Sequence, residues 1–180
     1  MLTITIPSTE TFNEITGEFE YTREYTLQLE HSLVSISKWE SKWCKPFLGK
    51  QEKTTEEVID YIKCMTLNKG VGDNIYNCLS QANIRAINEY IEAPMTATTF
   101  HGNETGKKNG EQVTSELIYY WMIALQIPFE CQKWHINRLL TLIRVCNIKN
   151  SPPKKMSKRE IMSRNSALNA ARKKQLSTKG

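Results

Sequence analysis

The chain has 180 residues, 39% hydrophobic and 24% charged, with a mean hydropathy of −0.49; this is the composition of one globular domain with an extension, and it excludes a disordered polymer. No stretch approaches the roughly 18–20 consecutive apolar residues that a membrane-spanning helix requires. The net charge of +5 is unevenly divided: from Ser151 onward nine basic residues face the single acid Glu160, a net of +8 that leaves residues 1–150 at −3, and such asymmetry marks an interaction tail.

The first thirty-one residues predict β-structure. Thr3-Ile4-Thr5-Ile6 alternates polar and apolar, and Pro7 ends the run because it has no N–H for a ladder. Phe12 to Tyr21 predicts a hairpin with its turn in Asn13–Gly17, and Thr26-Leu27-Gln28-Leu29 alternates again. Ile4, Ile6, Phe19, Tyr21, Leu27 and Leu29 are the expected buried face of one small antiparallel sheet. The N-terminus shows neither a basic region nor an apolar stretch of a secretory signal, so the expected location is the cytoplasm.

From Ser32 the period changes to that of a helix. Ser32 is the expected cap, with Leu33, Ile36, Trp39 and Trp43 along one stripe, stopped by Lys45-Pro46. Thr54 followed by Glu56 and Glu57 opens a second helix through Val58, Tyr61, Ile62 and Met65. A turn over Asn68–Asp73, a short helix over Asn74–Ser80 and another over Gln81–Ile91 follow. Ser115 is the expected cap of a helix through Leu117, Ile118, Trp121, Met122 and Leu125, apolar on most sides and so assigned to the centre of the core with Trp121 buried. After Pro128, Cys131–Ile148 predicts one long helix with Trp134 inward and Asn137 and Arg144 outward.

The expected class is therefore α+β, mainly α: an N-terminal β region (1–31), a helical core domain (32–150) and a basic tail (151–180) beginning at Ser151-Pro152-Pro153. Within the tail, Ser157 and Glu160 have the spacing of a capping box, but large apolar residues are too few for a helix that folds alone.

Little in the chain predicts chemistry. Cys44, Cys64, Cys78, Cys131 and Cys146 are odd in number and lack a Cys-x-x-Cys pair; beside apolar neighbours they are expected to be reduced and buried. Gly102 to Lys108 falls one residue short of a phosphate-binding loop and has Lys108 where the metal-binding hydroxyl belongs. Cys131 and His135 at i, i+4 supply two ligands, which do not close a metal site, and His31 and His101 stand alone. No enzyme, metal or cofactor is expected.

Two groups of residues suggest contact with a partner. Trp39, Trp43, Lys42 and Lys45 lie on one short helix; the aromatics are candidates for the core, but a Trp/Lys surface is also what a partner groove presents. In the tail, Lys154, Lys155, Lys158, Arg159, Arg172, Lys173 and Lys174 admit three readings: phosphate contacts to nucleic acid, folding onto an acidic partner, or a solvated end.

With these elements laid out, the chain resembles the tail assembly chaperones of tailed bacteriophages. The likeness is carried by Thr26–Trp43 (TLQLEHSLVSISKWESKW), Tyr90–Thr99 (YIEAPMTATT), Ser115–Met122 (SELIYYWM) and Pro152–Met156 (PPKKM), and extends over nearly the whole chain as overall pattern. The family has no short diagnostic motif, so no site residue is carried over. The resemblance implies a helical, non-enzymatic protein in the cytoplasm of an infected host that holds the long tape measure protein soluble and helps recruit tail-tube subunits. Many members are also made in a longer form by ribosomal frameshifting; a homo-oligomer is a separate expectation for this chain. The basic tail departs from the family pattern; the alternative is a virion-assembly or connector protein whose tail contacts DNA.

Overall fold

Alternation at the N-terminus produces paired strands. The computed structural model describes residues 1–13, 17–100, 112–151 and 157–176, with backbone alone for residues 9, 11–13, 18, 20 and 22. Strands β1 (Leu2–Ile6) and β4 (Tyr25–Leu29) are antiparallel, with Leu2 opposite Leu29 and Ile4 opposite Leu27. Alternate residues share a face, so Ile4, Ile6, Leu27 and Leu29 are buried together.

The hairpin between them forms a separate two-stranded sheet, β2 (Thr9–Asn13) with β3 (Glu18–Thr22), in the register Phe12 to Phe19. Gly17 beside its turn has φ +70°, a left-handed conformation that glycine adopts without strain. The expectation of a single sheet with Phe19 and Tyr21 inward is corrected: these side chains are 72% and 63% exposed. The first ladder stops at Pro7, and Phe19 and Tyr21 are not carried into the core.

Ser32 and Thr54, the expected caps, start two helices through capping boxes. In α1 (Leu33–Trp43) the Ser35 N–H donates to Ser32 Oγ (3.3 Å) and the Ser32 N–H to Ser35 Oγ (2.9 Å). In α2 (Thr55–Met65) Thr54 and Glu57 exchange the same pair of bonds. Between α2 and α3 (Asp73–Asn77), where sequence predicts only a turn, the chain returns to the sheet: Leu67 N–H donates to Gln28 O (2.8 Å), and Asn68 Oδ1 accepts from Gln28 N–H (2.7 Å). Then come α4 (Gln81–Glu92), α5 (Ser115–Ala124), a short 3-10 helix (Phe129–Lys133), α6 (Ile136–Asn150) and α7 (Lys158–Leu176). The chain is thus mainly helical with a small antiparallel β element.

Other expectations are corrected here. The long helix over Cys131–Ile148 is broken at Trp134–His135, where His135 caps α6: its carbonyl accepts from Arg138 and Leu139, and its Nδ1 from Asn137 N–H (3.3 Å). Asn137 does not point outward; its carboxamide donates to Ile91 O (3.2 Å) and Ala93 O (2.8 Å), tying α6 to the end of α4. Thr114, not Ser115, caps α5, while Ser115 N–H donates to buried Glu40 Oε2 (2.7 Å). Glu40 Oε1 accepts from Phe47 N–H (2.8 Å), so one interior carboxylate joins α1, the turn after it and the start of α5. Helix α5 is not central: Ser115, Ile118 and Met122 are buried on one face, and Trp121, about 100° away, is half-buried. All five cysteines are free; Cys131 is buried, but Cys44 is exposed at the left-handed C-cap of α1.

Met1–Asn147 and Ile148–Gly180 form two compact units. In the second, α7 begins with the predicted capping box, Ser157 N–H to Glu160 Oε2 (2.8 Å) and Glu160 N–H to Ser157 Oγ (3.2 Å), and has no buried residue. Truncation after Asn150 is therefore expected to leave the first unit folded, with its melting temperature within about 2 °C of the parent's. A larger drop on thermal denaturation would show that the tail supports the body.

Candidate partner-binding surfaces

The four candidates, three on α1 and Lys45 just beyond it, form a seam with α2 whose lysines are exposed. Trp39 is 1% exposed; its indole N–H donates to Glu57 O (2.9 Å), and its ring stacks on Trp43 (centroids 6.3 Å apart) and meets Phe47 edge-on (5.2 Å). Trp39 is therefore core rather than contact surface. Trp43 is half-buried and donates to Asp60 Oδ2 (2.9 Å). Lys42 pairs with Asp60 as well, and Lys45 with Glu57 Oε1 (2.6 Å). Both lysines are thus engaged by carboxylates of the neighbouring helix, a pairing that spacing within α1 alone does not reveal.

The uncovered apolar surface lies elsewhere, on α5. This helix is apolar nearly all round, yet only Ser115, Ile118 and Met122 are buried. The opposite side carries Tyr120 (63% exposed), Ile123 (62%) and Ala124, flanked by half-buried Leu117 and Tyr119. Tyr119 extends the patch to the following 3-10 helix: its hydroxyl donates to Gln132 Oε1 (2.9 Å), and its ring lies 6.5 Å from that of Phe129, itself 52% exposed. Contiguous exposed aromatic and aliphatic side chains of this kind mark a contact surface. The available signal was a helix with no polar stripe.

A second group missed from sequence is buried. His31 and His135, 104 positions apart, have ring centroids 5.0 Å apart, edge to face. His31 Nδ1 hydrogen-bonds to the Tyr61 hydroxyl, which burial keeps protonated. His135 Nδ1 accepts a backbone N–H, which leaves its Nε2–H to donate to Tyr90 O (2.9 Å). Tyr90 in turn donates to Glu30 Oε1 (2.7 Å). Both imidazoles are held neutral: burial and then the neighbouring His135 push His31 down to about 3, and burial lowers His135. Each ring thereby joins separate elements of the first unit.

An open cleft of about 430 Å³ between α2, α3 and α4 is floored by Val58, Ile59, Tyr76 and Ile84, with Lys53 at its rim. The Lys53 ammonium lies over the Phe47 ring (4.4 Å) and burial lowers its pKa. Among the described residues no group of three His, Cys, Asp or Glu side chains is arranged to hold a metal ion, and no helix is long and apolar enough to cross a membrane.

Of the tail candidates, Lys158, Arg159, Arg172, Lys173 and Lys174 lie exposed on α7, whereas Lys154 and Lys155 lie outside the described residues, as does the Gly102–Lys108 loop. Comparison of this chain with protein-family models, with curated proteins and with solved structures gave no match.

Proposed function

We propose that this chain is a non-enzymatic binding protein of the tail assembly chaperone type, acting in the cytoplasm of an infected bacterial cell. In this reading it covers apolar segments of the long, helical tape measure protein and helps bring tail-tube subunits to it. The observation that carries the reading is the outward face of α5, where Tyr120 and Ile123, continued by Phe129, leave a rigid apolar strip uncovered. An amphipathic helix laid on such a strip buries its own apolar face, the usual economy of helix-in-groove recognition. A long client offers repeated segments of this kind, so several copies are expected per client.

Co-expression with the tape measure protein tests this. The client is expected to stay soluble and to co-purify with several copies of this chain in moderate salt, because apolar contacts are not screened as exposed charge pairs are. Tyr120→Glu with Ile123→Glu is expected to abolish co-purification while leaving the melting temperature within a few degrees, since both side chains are exposed. A client equally soluble alone, or retained fully by the double variant, would refute the reading.

A further inference from the structure

We infer that α7 is a docking helix for the major groove of duplex DNA, with its phosphate contacts made by Lys158, Arg159, Arg172 and Lys173. The inference does not depend on the chaperone reading. At 100° per residue, Lys158, Arg159, Asn165, Ser166, Asn169, Arg172 and Lys173 fall within one arc of about 140°, which they share with Met162 and Leu176; Leu168 and Ala171 lie outside it and Ile161 at its edge. The two cationic pairs are fourteen residues apart, about 21 Å along the axis and nearly four whole turns. Between them Met162, Asn165, Ser166, Asn169, Ala170 and Lys173 line one shallow depression. All four cations are exposed, and none forms an ion pair with a described residue.

This arrangement has a defined electrostatic complement. Cations at both ends of a face, with amide and hydroxyl side chains and the exposed Met162 between them, suit a partner with anionic walls and a mainly polar floor that also offers methyl groups. In the major groove of B-form DNA the walls are phosphates and the floor is base edges, which carboxamides such as those of Asn165 and Asn169 can both donate to and accept from. The groove, about 12 Å wide, admits a helix about 10–12 Å across. Duplex RNA is a poorer fit because its major groove is deep and narrow. Single strands are bound largely by stacking on aromatic rings, and residues 151–180 contain no Phe, Trp or Tyr. An acidic protein surface would match the charge without any need for a groove.

The test is binding of full-length protein to a fluorescein-labelled 20-base-pair DNA duplex, followed by anisotropy across a salt series. Four phosphate contacts predict a log–log slope of about −3.6. Arg172→Gln with Lys173→Gln is expected to weaken binding on the order of 50-fold at 0.1 M salt and to reduce the slope by about 2. Lys50→Gln with Lys69→Gln removes the same net charge outside α7 and is expected to change affinity less than about 5-fold. Duplex RNA of the same length is expected to bind at least about 10-fold more weakly than DNA. Equal losses in the two double variants, equal binding of duplex RNA, or polyglutamate binding as tightly as DNA would each overturn the inference. Circular dichroism of each variant separates loss of contact from loss of the helix.

Discussion

Trp39→Ala is expected to destabilise the first unit by about 3–5 kcal/mol, against a total of about 5–15 kcal/mol for a domain of this size. Three losses combine at this position. The indole is enclosed between Trp43 and Phe47, so truncation leaves a cavity where the aromatic packing was. The Glu57 carbonyl loses the N–H that ties α1 to α2. The Lys53 ammonium, 5.9 Å from the ring centroid, also loses one of its two aromatic neighbours. Trp39→Phe retains most of the packing and is expected to cost only about 1–2 kcal/mol, chiefly through the hydrogen bond. Trp121→Ala should cost less than Trp39→Ala, because Trp121 is half-buried. Urea denaturation monitored by far-ultraviolet circular dichroism gives the three midpoints. If Trp121→Ala proves the most damaging, α5 contributes more to the core than its single buried stripe indicates.

The difference between these two tryptophans shows what sequence pattern conveyed and what it lacked. Local signals were strong where chain neighbours determine structure. Ser32, Thr54 and Ser157 each cap a helix with a partner three residues on, and the stripe Leu33–Ile36–Trp39 packs inward as its spacing predicts. Period alone failed on α5, because a helix apolar on nearly every side does not say which side is covered. It failed on Phe19 and Tyr21 because alternation fixes a shared face but not whether anything packs on it. Lys42 and Lys45 were legible as cations beside aromatics, but their carboxylates, Asp60 and Glu57, belong to the next helix. The His31–His135 contact was invisible for the same reason on a larger scale, since only tertiary packing brings together residues 104 positions apart.

That contact makes stability depend on pH. His31 titrates at about 3 in the folded protein and at about 6.5 when unfolded, because burial and the adjacent His135 disfavour its cation. Its depressed value means that the contribution is fully present above pH 6.5 and is lost as pH falls towards 3, where the unfolded chain binds a proton that the folded chain refuses. For this group alone the loss approaches about 1.4 kcal/mol per pH unit, or roughly 2 kcal/mol at pH 5. His135, also lowered by burial, acts in the same direction. The neutral form of His135 is needed geometrically as well: protonation of its Nδ1 would break its bond from Asn137 N–H at the start of α6. Unfolding free energies measured from pH 7.5 to 4.5 are expected to fall more steeply for the parent than for His31→Gln, which keeps an acceptor within reach of Tyr61 but does not titrate. In the folded parent, the His31 imidazole resonance should remain at its neutral shift down to about pH 4.5. Parallel stability curves, or a His31 resonance titrating near 6.5, would mean that water reaches this pair and that the two rings do not join the sheet, α2 and α6 as a dry junction.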